Sequence, residues 1–293
     1  MLEPVLITTD LDRTLIFSPR ATAQLGGALP ADPVESAHDS QASGELSHAA
    51  RDALLALPRD VWICVATSRS QARLARLRLP FPARYSIAAN GGLVLADGAR
   101  NPDWAARTAR LLAGAAPAAE VRAVFADCGG GEWLERFGDE DEMCCLAIVS
   151  RDRLTAGHFA DLAARCVELG WKASLTGRKL YAFPVGFGKE SAAAFIAEMV
   201  ARETGAEPLR LAAGDAEHDR LMLAEADLAW VPAGSELAEA PPAGAVTVTR
   251  QPGHAAAAQI ASDWLAICLK KRAEARTSRS ALRGVDVGNS TGR

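Results

Sequence analysis

The sequence predicts an α/β protein: a doubly wound parallel sheet core interrupted by an inserted α+β unit. Three observations predict it. Short apolar runs alternate with helix-patterned stretches at both ends of the chain. The runs at 4–9 (PVLITT) and 61–66 (VWICVA) are almost continuous in apolar character, as strands covered by helices on both faces are. Between about 97 and 183 the pattern changes to helices and paired short strands, the signature of a segregated α+β unit. With 293 residues, 49% of them apolar and 23% charged, the chain can bury a large core, which excludes a disordered, collagen-like or disulfide-scaffold class.

The elements follow in order. A strand over 4–9 ends in an acidic cluster, and residues 28–47, rich in Pro, Ala, Ser, Asp and Gly, read as a loop before a helix over 45–57. The strand over 61–66 leads to residues 84–95, which turn at Asn90-Gly91-Gly92. In the insert, 101–113 and 153–169 read as helices, 121–126 and 145–150 as strands, and 172–176 with 179–183 as a hairpin around Gly177. After Pro184 a helix is expected over 189–204, a strand over 209–213, a helix over 219–226, strands over 228–231 and 246–249, and a closing helix over 254–271. The expected division is a discontinuous core of 1–96 plus 184–271, an insert of 97–183, and a disordered tail over 272–293, where apolar periodicity ends. No internal repeat is evident.

Charge and cysteines bound the setting. The formal net charge is −4, but residues 270–293 carry +5, which leaves −9 on the body. An acidic body argues against nucleic acid as a partner. The opening residues MLEPVLITTD lack a basic stretch and read as a strand and not a signal peptide, and no run approaches the ~18 apolar residues of a membrane helix. The six cysteines lack metal-type spacing and several sit in apolar runs, so a reduced, cytoplasmic protein is expected. The sequence leaves the oligomeric state open.

Chemistry concentrates at strand ends. Asp10 and Asp12 stand where the first strand gives way to a loop, the side of an open α/β sheet on which ligands bind. Alone, such a pair is also an ordinary surface feature. A second acidic group, Asp215 and Asp219, follows the strand over 209–213 and Gly214. Four carboxylates at the ends of two strands repel one another unless a hard cation sits among them, and Mg²⁺ is the expected one. Thr67, at the end of the second strand, and Lys189, opening a helix, add a hydroxyl donor and a cation. Arg69 and Arg73 read either as phosphate-facing groups or as a solvated helix face.

In this order the residues resemble the haloacid dehalogenase superfamily of phosphohydrolases. Asp10, Asp12 and Thr14 match its DxDxT motif, Thr67 its second motif, Lys189 its third, and Gly214, Asp215 and Asp219 its GDxxxD motif, over about residues 4–270. The long insert between Thr67 and Lys189 is similar to the subgroup whose cap lies there, which includes Cof-like sugar phosphatases, sucrose-phosphate phosphatases and mannosyl-3-phosphoglycerate phosphatases. AANGGLVL and KLYAFPVGFGK resemble that subgroup too. Two positions depart from it: His218 stands where Asn is usual, and the second motif reads TSR in place of TGR, so Ser68 could shadow Thr67.

The resemblance implies a Rossmann-like core, a cap, Mg²⁺ as cofactor and a small phosphorylated substrate. Asp10 would be the nucleophile, and Asp12, its pKa raised by neighbouring acids, the acid and base. Asp10, the backbone carbonyl of Asp12, and Asp215 would hold Mg²⁺, with Asp219 binding a metal water or steadying Lys189. Thr67 and Lys189 would hold phosphoryl oxygens. Thr14, Asn90 and Arg178 are candidates for substrate contact, as is Lys179, although turn chemistry explains Asn90 about as well and exposed hairpin charge is the commoner case for Arg178 and Lys179. A phosphomutase is the alternative reaction on the same fold. A signalling receiver domain also joins acids, Thr and Lys, but the span from Asp10 to Asp219 is too long for it.

Overall fold

The computed structural model describes residues 3–35, 44–129, 132–138 and 142–287, with side chains as far as Thr277. The strands in chain order are β1 (Val5–Asp10), β2 (Ala31–Pro33), β3 (Glu45–Ser47), β4 (Val61–Ala66), β5 (Tyr85–Ala88), β6 (Leu93–Ala96), β7 (Ala99–Arg100), β8 (Leu134–Phe137), β9 (Cys145–Val149), β10 (Trp171–Thr176), β11 (Lys179–Pro184), β12 (Leu209–Ala213), β13 (Leu228–Val231) and β14 (Val246–Val248). The helices are α1 (Pro19–Leu25), α2 (His48–Leu55), α3 (Gln71–Leu74), α4 (Pro102–Ala113), α5 (Ala118–Gly129), α6 (Ala156–Glu168), α7 (Lys189–Thr204), α8 (Arg220–Ala224), α9 (Glu236–Glu239) and α10 (Gly253–Val287).

Among the described residues the strands make an eight-stranded sheet of order β14-β13-β12-β1-β4-β5-β6-β7, a four-stranded sheet of order β10-β11-β9-β8, and the pair β2-β3. The large sheet is parallel from β14 through β5 and ends in antiparallel β6 and β7. Both faces of β1 are covered. Val5 and Ile7 pack with Ala50, Leu54, Ile260 and Trp264 of α2 and α10, whereas Leu6 packs with Ala192, Ile196 and Met222 of α7 and α8. This two-sided burial is why β1 reads as an unbroken apolar run.

The four-stranded sheet buries one face against α5 and α6 through Leu180, Ala182, Val121, Phe125 and Leu162. Its other face carries Leu146, Tyr181 and Phe183. Alternation along β11 therefore puts Leu180 and Ala182 inside and Tyr181 and Phe183 toward the large sheet's ligand side.

Several expectations need correction. Residues 121–126 are helical, within α5. The β-branched content suggested a strand, but Val121, Val124 and Phe125 recur at helical spacing and enter one core, so packing decides over propensity. Residues 45–47 form β3 and α2 begins at His48, capped by Ser47, whose hydroxyl accepts from the Ala50 N–H at 3.3 Å. The closing helix continues past Lys271 to Val287, in place of a tail disordered from 272. Alanines and long polar side chains sustain a helix without an apolar stripe. His38 and residues 288–293, the end of the expected tail, lie outside the described residues.

Candidate active site

The chain leaves β1 through a tight turn in which the N–H groups of Thr14, Leu15 and Ile16 all donate to the Leu11 carbonyl. Arg13 adopts φ 66° to make it. The turn brings Asp10, Asp12 and Thr14 to one side. The Thr14 hydroxyl donates to Asp10 Oδ2 at 3.1 Å. Lys189, the first residue of α7, donates from Nζ to Asp10 Oδ1 at 2.7 Å and to Asp219 Oδ1 at 2.6 Å. Asp219 Oδ2 accepts the N–H groups of Asp215 and Ala216. Gly214 permits this approach, since a Cβ there would lie 2.5 Å from the Asp219 Cβ.

A second constellation surrounds Asp12. Arg69 binds its carboxylate through Nε at 2.7 Å and Nη2 at 2.8 Å, and donates from Nη1 to Glu35 Oε1 at 2.9 Å. Glu35 is placed by a bridge to Leu77 and by the Arg78 N–H, which donates to the Val34 carbonyl. Burial alone would raise the Asp12 pKa. The Arg69 guanidinium overrides it by charge and hydrogen bonding and holds the carboxyl below the usual carboxylate range. The expectation that neighbouring acids raise Asp12 is thereby overturned. Arg69 is neither a solvated face nor turned to open solvent: its side chain is 7% exposed.

Asp10 behaves in the opposite sense. Burial pushes its pKa up to about 6, with Lys189 pulling it down and Asp219 and Asp12 adding to the rise. Burial and the nearby Asp10 and Asp219 carboxylates likewise raise Asp215. Lys189 answers Asp10 and Asp219, so Asp215 is left with Arg13 Nε at 3.6 Å. A donor set of crowded carboxylate oxygens suits a hard divalent cation, and Asp10 with Asp215 is the pair that Lys189 does not already link. Asp10, His218 and Asp219 also bring ligand atoms within 4.8 Å of one another. In that group the ammonium of Lys189 already lies between the two carboxylates, and both Asp219 oxygens are engaged. Burial, then the Lys189 charge, depress the His218 pKa to about 3, so its imidazole is neutral, with Nδ1 buried and unpartnered among the described residues.

The other expected residues are also located. Thr67 is buried, and its hydroxyl oxygen accepts from the Arg69 N–H at 3.1 Å, leaving its own hydrogen free to donate. Asn90, in the left-handed region at φ 53°, donates its N–H to the Thr67 carbonyl. Its side-chain oxygen is buried without a partner among the described residues. The adjoining Gly91 lies against Gly188, where a Cβ would come within 2.3 Å of the Gly188 carbonyl oxygen, so this turn seats the start of α7. Arg178 is not brought to the site: it pairs with Glu135 and donates to the Val149 carbonyl. Its neighbour Lys179 is brought there. Lys179 is held above its ordinary pKa by Tyr181 and Asp12, against desolvation and the like charges of Arg73 and Arg69. Tyr181 meets the His218 ring edge-on at 6.5 Å.

No family model matches the chain, and neither does any curated protein. Solved structures do. A sucrose-phosphatase from a Synechocystis species, in complex with sucrose and phosphate, aligns with a TM-score of 0.57 at 14% identity over 87% of this chain and 95% of that one. A trehalose-6-phosphate phosphatase related protein aligns with a TM-score of 0.53 at 15% identity, over 91% and 99%. A phosphatase of the haloalkanoate (HAD) superfamily from Bacteroides thetaiotaomicron aligns with a TM-score of 0.51 at 14% identity, over 84% and 90%. The fold expected from the motifs is thus the fold of these proteins.

Proposed function

We propose that this chain, which has the fold of HAD superfamily phosphatases, is a Mg²⁺-dependent phosphohydrolase that cleaves a small phosphomonoester, a sugar phosphate or related metabolite, through an aspartyl-phosphate on Asp10. The observation that carries the reading is the buried Asp10 carboxylate, fixed by Lys189 and Thr14 at the carboxyl end of β1, with Asp12 two residues on.

In this reading an Asp10 oxygen attacks phosphorus, and the bond from phosphorus to the substrate's ester oxygen breaks. A proton from Asp12 goes to the departing oxygen. Water then attacks the phosphorus of the aspartyl-phosphate, losing its proton to Asp12, and Asp10 is released with inorganic phosphate. Lys189 and the Thr67 hydroxyl offer donors to the phosphoryl oxygens, where charge builds in the transition state. Mg²⁺, held by Asp10, Asp215 and the carbonyl of Asp12, would supply neutralisation of phosphoryl charge. Asp219 steadies Lys189.

Because the free Asp12 is ionised on Arg69, it must gain its proton when the phosphoryl charge arrives beside it. A nearby dianion raises a carboxyl pKa, so substrate binding favours uptake by Asp12 of a proton from solvent. Residues 97–183 would act as a cap that closes over the strand ends of a core formed by 1–96 and 184–271, shutting bulk solvent from Asp10 while leaving the attacking water. A phosphomutase on the same fold is the second reading. No helix among the described residues is long and apolar enough to cross a membrane. The six cysteines are free thiols, which supports a reducing, cytoplasmic setting.

The test is phosphate release over a panel of sugar phosphates, nucleotides and phosphoglycerate derivatives with Mg²⁺, repeated with Asp10→Asn and with chelator. Release from the wild type that both treatments abolish is expected. Release that survives Asp10→Asn overturns the mechanism, and transfer to a second sugar without free phosphate favours the mutase.

A further inference from the structure

The cations on the Asp12 side of the site outnumber its carboxylates. Arg69, Arg73 and Lys179 act on Asp12, and Glu35 is the other carboxylate bound there. Arg69 is committed to both acids, whereas neither Arg73 nor Lys179 forms an ion pair within 4 Å among the described residues. Asp12 and Glu35 thus stand as two carboxylates against three cations. A cluster with that excess favours an anion brought from outside.

Placement says which part of a substrate would bring it. The groups acting on Asp10 besides its burial are Lys189, Asp219, His218 and Asp12, so the phosphoryl group bound for Asp10 is met by Lys189. Lys179 instead neighbours Asp12, Arg73 and Arg69, on the side of the group that would protonate the departing alcohol. It projects from the same face of β11 as Tyr181, whose ring contacts His218. Across the hairpin it is in register with Thr176, whose hydroxyl is buried and unpartnered among the described residues. Leu146, Tyr181 and Phe183 form an aliphatic and aromatic cluster on that face.

Resting on the phosphohydrolase reading, we propose that Lys179 and Arg73 form a subsite for a second anionic group, so that the preferred substrate is a phosphomonoester whose alcohol portion carries a carboxylate or a further phosphate.

Two matched pairs test it: 3-phosphoglycerate against glycerol 3-phosphate for a carboxylate, and glucose 1,6-bisphosphate against glucose 6-phosphate for a phosphate. kcat/KM is measured for the full chain with Mg²⁺, and calorimetric binding of the same four compounds is measured for Asp10→Asn. The anionic member should be preferred by about tenfold or more in at least one pair, the worth of one charge-assisted contact. The pair that shows it identifies the group. Lys179→Met should bring that ratio to near one and Lys179→Arg should retain it; Arg73→Gln should lower it if Lys179→Met does not fold. A wild-type ratio of one or less in both pairs, or a ratio that Lys179→Met and Arg73→Gln leave unchanged, overturns the subsite. Absence of phosphate release from all four compounds would overturn the phosphatase reading, while the binding ratio in Asp10→Asn would still decide the subsite.

Discussion

Lys189→Met isolates the contact on which the site is built. It removes an ammonium that donates at 2.7 and 2.6 Å to two buried carboxylates whose side chains are 5% and 0% exposed. Taking one partner from a buried pair costs about 3–5 kcal/mol, because the remaining charge is left without water or counter-ion. Two acids lose one cation here, so the upper part of that range is expected at pH 8 without divalent cation. Asp10 fixes the pH dependence. Burial already raises its pKa to about 6 against the pull of Lys189, and losing that pull raises it further. A carboxyl raised in the native state binds more protons there than in the unfolded chain, so stability falls as pH rises through its folded pKa. The variant's deficit should therefore be smaller at pH 5, where Asp10 takes a proton, than at pH 8. Urea unfolding with chelator at both values checks this, and adding Asp219→Asn to Lys189→Met should recover at least about 1 kcal/mol by removing one of the stranded charges. A loss under about 1 kcal/mol at pH 8, or one no larger there than at pH 5, would refute the reasoning. With Mg²⁺ restored, kcat should fall by about a hundredfold or more.

Arg69→Met should let the Asp12 carboxyl, now held low, titrate within or above the ordinary carboxylate range; carboxyl ¹³C NMR, assigned by difference with Asp12→Asn, would show an unmoved midpoint if Arg69 were only a surface partner. Gly214→Ala places a Cβ 2.5 Å from that of Asp219 and should cost about 1–3 kcal/mol in urea unfolding while weakening the stabilisation by Mg²⁺; wild-type stability with intact activity would contradict the packing. Burial pushes the thiol of Cys64 up strongly, Cys145 up to about 12, and Cys166 and Cys268 up to about 11. With Cys144 also buried, only the half-buried Cys128 should react rapidly with a thiol reagent in the native protein. Two or more fast thiols without denaturant would place these cysteines outside the core.

What the sequence made legible was local. Strand-end acids, the Lys at a helix start and the Gly before Asp215 each carry their position in a few adjacent residues, and α7 lies where its pattern ends, between Pro184 and Gly205. The Arg69 bonds to Glu35 and Asp12 span 34 and 57 residues, and Glu35 sits in a stretch whose composition says only loop. No local pattern encodes a pairing across that distance. For α5, the short apolar stretch fits strand and helix alike, and only the core it enters distinguishes them. At the hairpin around Gly177 the sequence offered both Arg178 and Lys179, with Arg178 the expected contact. Alternation across β11 separates them, turning one to Glu135 and the other toward Asp12.

The corrected sign at Asp12 alters how the acidic motifs are understood. Counted as four strand-end carboxylates, they call for a metal and nothing more. The structure divides them instead: Asp10 and Asp219 share Lys189, Asp12 belongs to Arg69, and among the described residues Asp215 pairs with Arg13 alone, at 3.6 Å. In the proposed mechanism a cation is needed chiefly where Asp215 lies near Asp10, whereas Asp12 is short of a proton and not of a counter-charge. On the proposed reading one event meets both needs, because a phosphoryl group binding between Lys189 and the metal pair brings the negative charge that lifts Asp12 toward protonation. The acid would then be armed only when there is an ester bond to break.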